Sequence, residues 1–382
     1  MKVKHNYLPA QYKKTGKLGI NHNYLIEQFS DYKEIFEKIE KLVQKGDYTL
    51  GTPVEEFEKK FSSIAQTKYA IGVGSGTDAL FLSLKALDIK KGDEVITTPH
   101  TFHATVGAIV AANAKPVFVD VRDDYNINPE LIERAITDKT KVIMPVHWSG
   151  LPCDMHKIME IAKRRGIPVI EDAAQAIKAN IENQVVGSFG LTGCFSFHPL
   201  KNLNAWGDGG IITTNNSEIY EKLVLLRNHG LRNRDECEIY GYNSRLDSIQ
   251  AVVANHLLSK IDYITNTRIS NAKFYDEELS KIKGIQVPER KPNIKQVFHI
   301  YVIRSKERDR LQRFLIKWGI DAKIHYPLPM HLQPAAQSLG YKKGDFPICE
   351  SICESILSLP VHEFIKRDQQ DYVIKKIREF YK

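Results

Sequence analysis

One lysine, one acid and one glycine-hydroxyl turn have the types and the order needed to bind an aldehyde cofactor. The lysine is Lys201, in the run Cys194-Phe-Ser-Phe-His-Pro-Leu-Lys201-Asn-Leu-Asn-Ala-Trp-Gly-Asp-Gly-Gly210, between a short apolar strand and a glycine-rich turn. A free lysine amine, with a pKa near 10.4, is a poor nucleophile at neutral pH unless burial, a nearby cation or a covalent aldehyde partner changes its state. Pyridoxal phosphate makes that change, and it needs a lysine for the aldimine, an acid for the pyridinium nitrogen and a phosphate cradle. All three are present.

The acid is Asp172, which closes the apolar run Ile167-Pro-Val-Ile-Glu-Asp172 before Ala173-Ala174-Gln175. Such a run reads as a buried parallel strand whose carboxyl end opens into a crevice, where ligands of open α/β sheets collect. A carboxylate about 4 Å from a pyridinium gains about 4 kcal/mol at an effective dielectric near 20, before desolvation is subtracted. Alone, Asp172 reads equally well as the cap of a following helix; beside Lys201 the counter-ion reading is the stronger.

The cradle is Gly72-Val-Gly-Ser75-Gly76-Thr77-Asp78, overlapping the end of a short strand and leading into a helix marked by Leu80, Leu84 and Leu87. Free amides and hydroxyls at a helix start bind anions. Ser196, two residues beyond Cys194, falls on the same side of its strand as His198 and is a second candidate phosphate ligand.

The motifs Ser75–Leu80, Glu171–Ala176, Phe195–Leu203 and Gly241–Asp247 together resemble the DegT/StrS sugar aminotransferases, of fold type I, in order from about residue 20 to 382. The resemblance implies roles for individual residues. Lys201 matches the lysine of the aldimine, which also serves as general acid and base, and Asp172 the partner of the ring nitrogen. Gln175 matches the neighbour of the ring hydroxyl, Gly76, Thr77 and Ser196 the phosphate ligands, and Phe102 the aromatic stacked on the ring. Asn243 matches a residue that reaches the neighbouring subunit's phosphate, which implies a homodimer with shared active sites.

His325, Tyr326 and His331 match substrate-side positions of members acting on nucleotide-linked 3-keto sugars, or else pack their own proline-rich loop. The implied reaction is transfer of an amino group, from glutamate by resemblance, onto a nucleotide-linked keto sugar. The family also holds sugar dehydratases, whose lysine is replaced by histidine, but this chain keeps Lys201. A cofactor-binding regulator without turnover is the other alternative. Nicotinamide chemistry is disfavoured, because Gly72-Val-Gly-Ser-Gly runs into Thr77-Asp78 and forms no Gly-x-Gly-x-x-Gly. Lys178, Asn204 and Trp206 depart from the family pattern close to the cofactor motifs and put the sugar's identity in question.

The elements that must position these groups are legible as apolar runs at 69–73, 95–98, 116–120, 141–146, 167–170, 194–197 and 210–214, with helices starting at Asp78, Thr105, Asp154 and Ser217. Strands and helices in alternation predict an α/β fold: a large domain (20–250) with a mostly parallel seven-stranded sheet flanked by helices. A long amphipathic helix from Leu246 then leads into a smaller C-terminal α/β domain (251–382), with a strand at 297–303 and a last helix from Arg367.

The chain has 382 residues, 42% of them hydrophobic, enough for a large core divided in two. No apolar run is long enough for a membrane span, and Met1-Lys-Val-Lys-His lacks a signal's apolar segment, so a cytoplasmic enzyme is expected. Five cysteines without a Cys-x-x-Cys pair predict free thiols and no metal site. The net charge of +8 comes from scattered lysines with no nucleic-acid motif; it suits a solvated surface or attraction of an anionic diphosphate substrate.

Overall fold

The computed structural model describes residues 18–22 and 24–382, so the stretch Met1–His5 lies outside the described residues. The large part of the chain is built on β1 (Tyr69–Val73), β2 (Glu94–Thr97), β3 (Lys115–Phe118), β4 (Thr140–Ile143), β5 (Ile170–Asp172), β6 (Thr192–Ser196) and β7 (Gly210–Thr214). They form two ladders, β1-β7-β6-β5 and β3-β2-β4. All pairings are parallel except the two made by β7, which runs against both β1 and β6.

Single parallel bridges, Ile143 to Val169 and Val146 to Asp172, join β4 to β5 in place of a continuous ladder. The physical reason is proline: Pro145 and Pro168 sit on the two facing segments, accept from Asp172 N and Ile143 N through their carbonyls, and have no N–H to give back. The sheet is therefore thinned at β5, the strand that carries Asp172.

Both faces are covered. Leu80, Leu82 and Leu84 of helix Gly76–Ala86 pack with Ile71, Val95, Ile109 and Ile212 on one side. On the other, Phe57 and Phe61 of helix Thr52–Ala65 meet Phe195, Phe197 and Leu257. Every residue of β6 and β7 is buried, as a strand covered on both faces requires.

The helix expected from Leu246 is two, Ser248–Leu258 and Ile261–Leu279, broken at Ser259-Lys260. The first packs Ala251, Ala254 and Leu257 into the cluster under the sheet, so the expected boundary at 250/251 falls inside a helix. The second packs Tyr275 and Leu279 against β8 (Tyr301–Arg304), its antiparallel partner β9 (Ile356–Leu359), and helices Arg308–Lys317 and Arg367–Phe380.

Only the end of the strand expected at 297–303 is strand. The amides of Val297 and His299 are instead spent on the carbonyls of Gly150 and Ser149, which draws this segment toward the carboxyl end of β5. All five cysteines are free thiols. Among the described residues no helix is long and apolar enough to cross a membrane.

Candidate active site

The carboxyl ends of β5 and β6 and the helix that follows β1 converge on one crevice. Strand alternation sends the two acids of β5 to opposite sides. Glu171, fully buried, accepts from Gly187 N (2.7 Å), Phe189 N (2.9 Å) and Gly190 N (2.7 Å) and pairs with His147 Nε2 at 3.0 Å. His147 Nδ1 accepts from Cys153 N, so its proton lies on Nε2 and is donated to Glu171. Glu171 thus braces the loop after β5.

Asp172 faces the crevice. Its Oδ2 accepts from Thr105 Oγ1 at 2.7 Å and its Oδ1 from Ala174 N at 3.2 Å. Burial raises its pKa, opposed by these two donors and by the charge of Lys201. A buried carboxylate held by few donors is poised to accept a cationic partner.

Lys201 stands on a tight turn after β6, where its N–H donates to His198 O (2.8 Å) and Ala205 N donates to Phe197 O (2.9 Å). Burial lowers its amine to a pKa of about 8, with Asp172 pulling the other way. At pH 7 about a tenth of such an amine is neutral, against a vanishing fraction for an ordinary lysine.

The glycine turn is shaped by close approach. Ser75 caps helix Gly76–Ala86 by accepting from Asp78 N at 3.0 Å. A Cβ on Gly76 would lie 2.5 Å from Ser196 Cβ, and one on Gly210 would lie 2.3 Å from the Ser75 carbonyl oxygen. Only glycine lets the end of β6 and the start of β7 press against this helix start. Ser196 Oγ is thereby set against Gly76 at the helix start, where free amides suit a phosphate.

Around this cradle lie the remaining expected groups. Gln175 Oε1 accepts from Ser149 N at 2.7 Å, and its side chain hydrogen-bonds the Tyr326 phenol, whose pKa burial raises. Phe102, at the N-cap of helix His103–Ala111, is 49% exposed, and its ring lies 5.8 Å from that of Tyr326. It has a face free for a planar ligand. His325 Nδ1 is 2.9 Å from Ser358 Oγ. Burial, with the charges of His22, Lys323 and Lys201, lowers its pKa to about 3.

Asn243 lies on the surface, one residue before Ser244, whose hydroxyl accepts from Gly74 N (3.1 Å) and donates to Asp78 Oδ2 (2.9 Å). His331 sits apart. Its Nε2 meets Glu350 Oε1 at 3.0 Å and its ring packs on Phe346, so it is held within the loop cluster that Glu350 organises. The structure thus gathers Lys201, Asp172, Gln175, Tyr326 and His325, forms the cradle from Gly76, Thr77 and Ser196, and gives His331 a partner elsewhere.

Groups not singled out by sequence complete the crevice. Thr105 stood out in the sequence only as an expected helix start, yet it is the closest donor to Asp172, with the Thr101 hydroxyl behind it at 2.6 Å. His299 has a buried Nδ1 without a partner, and burial together with the charge of Lys201 holds its pKa well below the usual value. The donor set fits pyridoxal phosphate: a helix start for phosphate, a buried acid for a ring cation, an amine of lowered pKa for an aldehyde, and an aromatic face.

A model of the DegT/DnrJ/EryC1/StrS aminotransferase family matches residues 30–378. The chain is 43% identical over 362 residues to a pleiotropic regulatory protein of Geobacillus stearothermophilus, covering 94% of this chain and 97% of that protein. It is 38% identical over 361 residues to dTDP-3-amino-3,4,6-trideoxy-alpha-D-glucose transaminase of Streptomyces venezuelae, covering 92% and 95% of the two. The crystal structure of S. venezuelae DesV in complex with a ketimine intermediate superimposes with a TM-score of 0.91 at 38% identity, over 95% of this chain and 98% of that one.

Proposed function

We propose, for a chain that belongs to the DegT/DnrJ/EryC1/StrS aminotransferase family, that it moves an amino group from glutamate onto a nucleotide-linked 3-keto sugar with pyridoxal phosphate as cofactor. The observation that carries this reading is the convergence of a lysine of lowered pKa and a buried acid on a glycine-serine anion cradle. The named activity of the S. venezuelae transaminase, a 3-amino sugar on dTDP, supports the substrate class.

Bound there, pyridoxal phosphate supplies an electrophilic carbonyl and a ring able to store negative charge. The amides of Gly76 and Thr77 and the Ser196 hydroxyl hold the phosphate, and Phe102 covers one face of the ring. Asp172 keeps a proton on the ring nitrogen by making the cationic form the favoured one. Lys201 Nζ, near pKa 8, both releases and takes back a proton at working pH, as a general acid and base must. Gln175 orients the ring hydroxyl, and its contact with Tyr326 fixes the substrate side of the crevice relative to the cofactor side. His325, neutral because it is buried, offers hydrogen bonding to the sugar without a competing charge.

The working unit in this reading is a homodimer, in which the surface-lying Asn243 completes the partner's phosphate site. The sheet and the helices on it, through helix Ser248–Leu258, hold the cofactor, and the C-terminal part that follows lines the sugar side. The name of the Geobacillus relative favours a second reading, a cofactor-binding regulator without turnover. Purified protein given pyridoxal phosphate, glutamate and a panel of dTDP- and UDP-linked 3-keto sugars separates the two. Equal amounts of 2-oxoglutarate and amino sugar support the transferase; a protein that binds cofactor but makes neither is the regulator.

A further inference from the structure

The turn that carries Lys201 is held from outside the crevice by a file of buried polar side chains. Asn204 Nδ2 donates both its protons, one to the Lys201 carbonyl (2.9 Å) and one to Gln28 Oε1 (2.7 Å). Gln28 Nε2 donates to Glu363 Oε1 at 3.1 Å, and Glu363 Oε2 accepts from Arg268 Nε at 3.0 Å. Arg268 Nη1 continues to the carbonyl of Phe298 at 3.2 Å, on the segment that borders the crevice. All four side chains belong to residues no more than 5% exposed.

Tyr24 closes the same file. Its ring stacks on His362 with centroids 4.9 Å apart and lies 4.9 Å from the Arg268 guanidinium, while its hydroxyl reaches 3.5 Å from the Lys201 carbonyl. Three separate stretches of chain are therefore joined in one file that ends on the Lys201 carbonyl: residues 24–28, the lysine turn, and the C-terminal part through Arg268 and Glu363.

Such an arrangement is a costly way to obtain stability alone. Asn204 Oδ1 and Arg268 Nη2 are buried without partners, a penalty that an apolar residue at either place would avoid. What the polar file provides is direction, since each hydrogen bond fixes an angle as well as a distance. From this geometry we infer that Asn204 and Gln28 are positioning residues. They latch the Tyr24–Gln28 segment over the lysine turn and fix the Lys201 backbone, so that the amine is kept out of water at the place where the cofactor carbonyl arrives. The inference rests on the role proposed for Lys201.

The test uses the full chain without cofactor. The rate of reductive methylation at Lys201, read by mass spectrometry against the exposed Lys41 as internal reference, is followed with pH. In the wild type the midpoint is expected at about 8. Asn204→Ala and Gln28→Met each break the file at a different link, and each is expected to raise the midpoint by about one pH unit as water returns to the amine. Capture of added pyridoxal phosphate should slow about tenfold in both, and the double variant should do no worse than either single one, because the two act as one unit.

Folded variants with the wild-type midpoint and capture rate overturn the inference and leave the proposed function standing. A wild type that never captures pyridoxal phosphate at Lys201 overturns the proposed function and the inference with it. Should one variant fail to fold, the other decides; failure of both marks the file as a stability element and also overturns the inference.

Discussion

Replacing Thr105 with valine removes a hydroxyl while keeping the side chain's shape, and that hydroxyl donates to Asp172 Oδ2 over 2.7 Å. Because its own proton goes to Asp172, Thr105 must accept from Thr101, 2.6 Å away, so the pair acts as a short donor chain aimed at the carboxylate. Burial already raises the Asp172 pKa, and Thr105 is the foremost group pulling it back. A hydrogen bond to an ionised group contributes about 1.5–3 kcal/mol, and about 1.4 kcal/mol corresponds to one pH unit, so its loss raises the pKa by about one to two units.

The sign is fixed: a lost donor destabilises the anion, so Asp172 stays protonated to higher pH and the acid limb of kcat moves upward. Near neutral pH the rate should fall up to about tenfold, with recovery in alkali. The assay is kcat against pH, from about 5 to 9, with both substrates saturating. An acid limb unmoved in folded Thr105→Val, or moved to lower pH, would refute the assignment of Asp172 as the ionised counter-ion.

Asp172→Asn should separate stability from activity. A carboxyl whose folded pKa is raised destabilises the apoprotein once pH climbs above its unfolded value, so the asparagine variant should melt higher than wild type at pH 7 and at the same temperature as wild type near pH 3, while turnover collapses. Gly76→Ala puts a methyl group 2.5 Å from Ser196 Cβ; cofactor titration should show affinity at least about tenfold weaker and denaturant unfolding a cost of about 1–3 kcal/mol. Glu171→Gln turns an acceptor of three amides into a group with its own donors, and should lower unfolding free energy by about 3–5 kcal/mol in a urea titration.

Much of the fold was legible because it is written locally. Tyr69–Val73 and Gly210–Thr214 are strands over the very residues whose apolar run predicts them. Helix starts were legible to within a few residues, as with His103 where Thr105 was expected. The segment at 297–300 misled because its β-branched and aromatic residues are drawn to the Ser149-Gly150 carbonyls instead of a strand partner. The break at Ser259-Lys260 carries no glycine or proline to announce it.

The candidate site divides in the same way. Lys201, Asp172 and the Gly76 turn each sit inside a short motif and could be found by reading along the chain. Thr105 against Asp172, Glu350 against His331 and the file from Asn204 to Arg268 join residues far apart in sequence, and only the folded chain brings them together. Sequence supplied the chemistry, while packing decided which polar group each residue would face.

The most direct test is to load the protein with pyridoxal phosphate, reduce it with borohydride and locate the retained cofactor by peptide mass spectrometry. The account predicts one modified residue, Lys201, whose label is lost when glutamate is added before reduction. Label on another lysine, or none, or a label at Lys201 that glutamate leaves untouched, would contradict it.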